Sequence, residues 1–87
     1  MTQTNHYKVE VKVQNYVGVL ARITILLRKF EVNISTLEVH PIPNSPNFSV
    51  IHMLMDSTKD PSAFSIVMNK LARLIPVISV DWHRNSL

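Results

Sequence analysis

The stretch Tyr7-Lys8-Val9-Glu10-Val11-Lys12-Val13 alternates without interruption, with Tyr7, Val9, Val11 and Val13 on one side and Lys8, Glu10 and Lys12 on the other. A period of two is the signature of a strand with one face buried and one face in water. It commits the start of the chain to a sheet that needs cover on one side only. The next segment supplies that cover. Leu20, Ile23, Leu27 and Phe30 recur at helical spacing, and Arg22, Thr24, Arg28 and Lys29 fall largely outside the stripe, which gives an amphipathic helix of about three turns.

The same strand and helix signals then return. β-Branched residues and alternation run from Val32 to Ile42, Pro41 and Pro43 break the run, and Asn44-Ser45-Pro46 reads as a turn. Phe48 to Met55 is a third, almost wholly apolar run, and its short link to the second makes the two antiparallel neighbours in a hairpin. Asp60-Pro61 reads as an N-cap followed by proline at the first helical position, with Phe64, Val67, Met68, Leu71 and Leu74 as the buried stripe of a helix ending near Pro76. Val77 to His83 closes the chain as a strand, with Ile78, Val80 and Trp82 facing inward. The order is βαββαβ, and right-handed crossovers put both helices on one face of a four-stranded antiparallel sheet. The expected class is α+β, a ferredoxin-like plait with strand order 4-1-3-2. A single domain covers residues 1–87, with a flexible N-terminal tail at 1–6 and a C-terminal tail at 84–87.

Such a domain is small. At 87 residues it buries only about 60–65 % of its unfolded surface, so association with another chain would help it. Apolar residues make up 46 % of the sequence and charged ones 17 %, which leaves apolar surface to meet a partner. The plait order exposes the second strand at an edge, where Ile34, Leu37, Val39 and Ile42 invite pairing with a second copy, so a homodimer through residues 32–42 is expected. Cysteine is absent, which excludes disulfides and thiolate metal sites. No apolar run is long enough to span a bilayer, and the polar start Met1-Thr2-Gln3-Thr4-Asn5 lacks the regions of a signal peptide, so a soluble, cytoplasmic protein is expected.

Several chemistries lack their parts. The net charge of +3 is scattered along the chain instead of clustered, and the open face of the first strand carries Lys8, Glu10 and Lys12 in place of stacking aromatics, which argues against nucleic acid. No pair of the acids Glu10, Glu31, Glu38, Asp56, Asp60 and Asp81 has a spacing that sets two carboxylates across a cleft, so no catalytic residue is assigned. His6, His40, His52 and His83 are dispersed, with His40 and His52 in one hairpin but not directly opposite, and no metal site is assigned.

The remaining feature is the only glycine, in Asn15-Tyr16-Val17-Gly18-Val19-Leu20 at the strand-to-helix junction. Glycine admits positive φ and close approach to the main chain, and the first helical turn offers unpaired N–H groups and a positive dipole end, which together suit a carboxylate. An ordinary turn has the same composition.

With the helix and Val32-Asn33-Ile34-Ser35-Thr36-Leu37 that follow it, this pattern resembles an ACT domain, and more narrowly the small regulatory subunit of acetohydroxyacid synthase (acetolactate synthase). The similarity runs from about Val9 to Val80 and includes Asn69-Lys70-Leu71-Ala72-Arg73-Leu74-Ile75-Pro76-Val77. The resemblance implies a non-catalytic subunit that binds the large catalytic subunit and makes it sensitive to valine or a related branched-chain amino acid. Thiamine diphosphate would belong to that partner, with no cofactor in this chain. It also implies that the effector sits at the dimer interface. Backbone N–H groups at Gly18 and its successors and the Asn15 side chain would hold its carboxylate, Asn33 and Ile34 of the neighbouring copy would complete the pocket, and Val19, Leu20 and Ile34 would form the apolar wall. Valine at position 17, where such loops often carry proline, leaves the turn less rigid. The alternative reading is a ligand-free dimerisation or protein-interaction module.

Overall fold

The computed structural model describes residues 4–15 and 18–85. Its elements are β1 (Asn5–Gln14), α1 (Val19–Lys29), β2 (Asn33–Ile42), β3 (Ser45–Ser57), α2 (Pro61–Ala72) and β4 (Val77–Asn85). The four strands form one antiparallel sheet in the order β2-β3-β1-β4, the expected plait. Each helix therefore joins two strands that flank a third, and β2 and β4 are the edges.

The alternation of β1 explains the layers. Tyr7, Val9, Val11 and Val13 are buried, and directly across the β1–β3 ladder Met55, Met53 and Ile51 are buried on the same side. Val19, Ile23 and Leu27 of α1 and Phe64, Val67, Met68 and Leu71 of α2 close over them. Each such fully buried side chain contributes about 1.5–3 kcal/mol. Tyr7 stacks on Phe64 with ring centroids 3.6 Å apart, and Trp82 meets both rings edge-on at 5.8 and 5.2 Å. The Tyr7 hydroxyl has no hydrogen-bond partner among the described residues, and burial is the main cause that raises its pKa above the ordinary tyrosine value.

Local signals set most element ends. Asp60 caps α2, its Oδ1 accepting from the Ala63 N–H at 2.8 Å with Pro61 at the first turn. The bond from the Ser62 hydroxyl at 2.7 Å, with that from the Ala63 N–H, holds the Asp60 carboxyl below its ordinary pKa. The hairpin is tighter than expected: β3 begins at Ser45, and Asn44 takes the positive φ of 63° that the turn requires.

Several expectations need correction. Asn5 and His6 belong to β1, not to a tail, because His6 Nδ1 meets Asp56 Oδ1 at 2.6 Å and the Asn5 amide donates to Lys59 O at 3.0 Å. Arg84 and Asn85 likewise continue β4, paired with Tyr7 and His6. Leu20 is 38 % exposed, because the buried stripe of α1 starts at Val19 and Leu20 points one position off it. Ile78 is also exposed, since a register shift between Lys12 and Val13 breaks the alternation where β4 begins.

Candidate functional site

Gly18 is the N-cap of α1, with φ 84° and ψ 4° and no side-chain cap. A methyl group there would touch nothing within 4 Å, so the backbone angle, not crowding, is what demands glycine. The first helical bond runs from Arg22 N–H to Gly18 O at 3.0 Å. The amides of Val19, Leu20 and Ala21 precede it and, as in any first helical turn, have no partner within the helix. No acidic residue lies in that turn to neutralise its positive end.

These donors stand beside an apolar hollow of about 360 Å³ lined by Val13, Asn15, Val19, Leu20, Val39, Ser49 and Ile51. Three residues expected at the site, Asn15, Val19 and Leu20, therefore meet here next to Gly18. Tyr16 and Val17 of the same turn lie outside the described residues. The Asn15 carboxamide is engaged at both ends: its nitrogen donates to Pro46 O at 2.9 Å and its oxygen accepts from the Ser49 hydroxyl at 2.6 Å. The second amide hydrogen remains available to a ligand. Ser49, Val39 and Ile51 were not legible as site residues, because only the strand register brings β2 and β3 under the start of α1.

Asn33 and Ile34 lie elsewhere in the protomer. They line a separate hollow of about 370 Å³ with Thr24, Leu27, Arg28, Glu31 and Val32, at the far end of α1. The 11 residues of that helix separate the two places by roughly 16 Å. Asn33 Nδ2 donates to Asp56 Oδ2 at 3.4 Å, and Ile34 packs against the core. One protomer thus presents the two parts of the expected site at opposite ends.

A wider hollow of about 560 Å³ lies on the open sheet face, with Lys8, Glu38, His40, His52 and Leu54 in its lining. Its imidazoles already face carboxylates, His40 against Glu38 at 3.2 Å and His52 against Glu10 at 3.7 Å, and it has no run of free amides. His40 and His52 are diagonal neighbours with ring centroids 5.5 Å apart. Among the described residues no three ligating side chains converge on a metal position, and no helix is long and apolar enough to cross a membrane.

The sequence profile of the AHAS small subunit-like ACT domain matches residues 9–79. The chain belongs to the ACT domain family. Solved structures share the fold. An uncharacterized protein from Thermotoga maritima superposes with a TM-score of 0.71 at 18 % identity, covering 97 % of this chain and 100 % of that one. The ACT domain from GTP pyrophosphokinase of Chlorobium tepidum gives 0.74 at 18 % identity over 93 % and 100 %. An ACT domain protein from Streptococcus pneumoniae gives 0.74 at 10 % identity over 94 % and 91 %. No curated protein matches the chain. ACT domains are regulatory modules, not catalysts, and they commonly dimerise and bind amino-acid effectors.

Proposed function

We propose that this ACT domain is a regulatory subunit of acetolactate synthase that binds a branched-chain amino acid such as valine between two copies of itself. The observation that carries the reading is the uncapped start of α1 at Gly18 opening onto the apolar hollow of Asn15, Val19 and Leu20. Free amides and a positive dipole end suit a carboxylate, and an apolar wall of this size suits a short branched side chain. Exposed Leu37 and Val39 on the β2 edge, with Leu20 nearby, give a second copy a surface to cover. Antiparallel β2–β2 pairing carries the partner's Asn33 and Ile34 toward the Val39–Ile42 end of this protomer, which is the end that holds the hollow. An effector bound there biases one dimer arrangement, and a coupling of about 1–3 kcal/mol is enough to alter the activity of a large subunit docked to it.

Calorimetric titration with valine, leucine and isoleucine tests the effector. Saturable heat with at least one of them is expected, and Gly18→Asp abolishes it by placing a carboxylate where the ligand's own belongs. Capture of a thiamine-diphosphate synthase from native cytosol tests the partner. The occupied Asn15 carboxamide favours the second reading, a ligand-free dimerisation module. In that case no branched-chain amino acid gives heat and partner capture is indifferent to Gly18→Asp.

A further inference from the structure

All four histidines stand on the open face of the sheet, together with four carboxylates. Three pairs form within the protomer: His6 with Asp56 at 2.6 Å, His40 with Glu38 at 3.2 Å and His52 with Glu10 at 3.7 Å. His83 and Asp81 remain, and neither side chain makes an ion pair or hydrogen bond among the described residues. Both are exposed on β4, two positions apart on the same face. The ladder to β1 offers them nothing better, since Asp81 lies opposite Glu10 and His83 opposite Lys8. The carboxylates of Asp81 and Glu10 repel across the ladder, Lys8, Lys12 and Glu10 reach the two side chains only as opposite or diagonal neighbours, and their outer side is open.

That outer side is an open edge. β4 pairs with β1 alone, runs nine residues and contains no proline, whereas the β2 edge carries Pro41 and two register shifts. Proline, bulges and guarding charges are how edge strands resist pairing; the one irregularity of β4 lies at its start by Ile78, and from Ser79 to Asn85 it is guarded by charge only. Its charges are self-complementary. If a second copy pairs antiparallel about a twofold axis through Trp82, Asp81 lies opposite the partner's His83 and His83 opposite the partner's Asp81. The half-buried indoles then meet across the axis, a favoured cross-strand pair. Moving the axis to Asp81 sets two carboxylates against each other, and moving it to His83 sets two imidazoles together.

We infer that β4 is a second self-association edge, on which two copies of this chain pair antiparallel about Trp82 and join their sheets through reciprocal Asp81–His83 contacts. This leaves β2 free, so the pairing at least doubles whatever unit the β2 edge forms, and it stands independently of effector binding.

The test uses Asp81→Lys and His83→Asp on the whole chain, with mass measured by sedimentation. Both changes improve charge pairing within the protomer, a lysine opposite Glu10 and an aspartate opposite Lys8, so loss of mass is not loss of fold. Wild type is expected to reach about twice the mass of either variant or more. An equimolar mixture of the two variants recovers that mass, because the lysine introduced in one then faces the aspartate introduced in the other. Disulfide trapping in this cysteine-free chain is a second readout. Ser79→Cys mixed with Asn85→Cys cross-links, and neither variant does so alone. Equal masses for wild type and variants, failure of the mixture to recover, or no mixed cross-link overturns the inference.

Discussion

Gly18 shows how one residue can serve the fold and the site separately. Its φ of 84° costs an L-residue about 1–2 kcal/mol, while the space around it is open. Gly18→Ala is therefore expected to lower stability by about 1 kcal/mol in chemical denaturation without unfolding the chain, and Gly18→Asp to remove effector binding as well. Tyr7 is the opposite case, a residue whose polar atom does nothing for the fold. Tyr7→Phe keeps the stack on Phe64 and deletes a buried hydroxyl with no partner, so stability is expected to stay equal or rise by up to about 1 kcal/mol. Because the folded pKa of Tyr7 is raised, its contribution is complete below the unfolded value of 10.0 and is lost as pH climbs through the folded one. Alkaline unfolding begins later in Tyr7→Phe than in wild type. The need for glycine was legible from its being the only one in the chain. The partners of Asn15 were not, since Pro46 and Ser49 are 31 and 34 residues away.

Elements with local signals were readable, and those shaped by neighbours were not. The strict alternation of β1 fixed its faces, and Asp60-Pro61 marked the start of α2 within a residue. The depressed pKa of Asp60 gives that cap a pH signature. The charged cap stabilises the fold above the unfolded value of 3.8, and this contribution is lost as pH falls through the lower folded value. Asp60→Asn keeps a capping oxygen, so it is expected to flatten the acid limb of the thermal stability profile while α2 persists by circular dichroism. The exposed Leu20 and Ile78 depart from their expected faces. Leu20 lies one position off the stripe that starts at Val19 and borders the apolar hollow, and Ile78 sits at a register shift that no propensity announces.

At the scale of the molecule, the order of elements already implied the sheet order and its two edges. What a chain in isolation could not display is which surfaces complete each other. The apolar hollow at one end of α1 and the Asn33–Ile34 surface at the other are separate in the protomer, and only a second copy unites them in the proposed site. Nitrogen-15 NMR with added valine tests this most directly. Shifts are expected at the amides of Gly18 to Ala21 and, with the same saturation curve, at Asn33 and Ile34, a separation of roughly 16 Å that no single valine spans within one protomer. Shifts confined to one of these clusters, or absent from both, contradict a shared effector site.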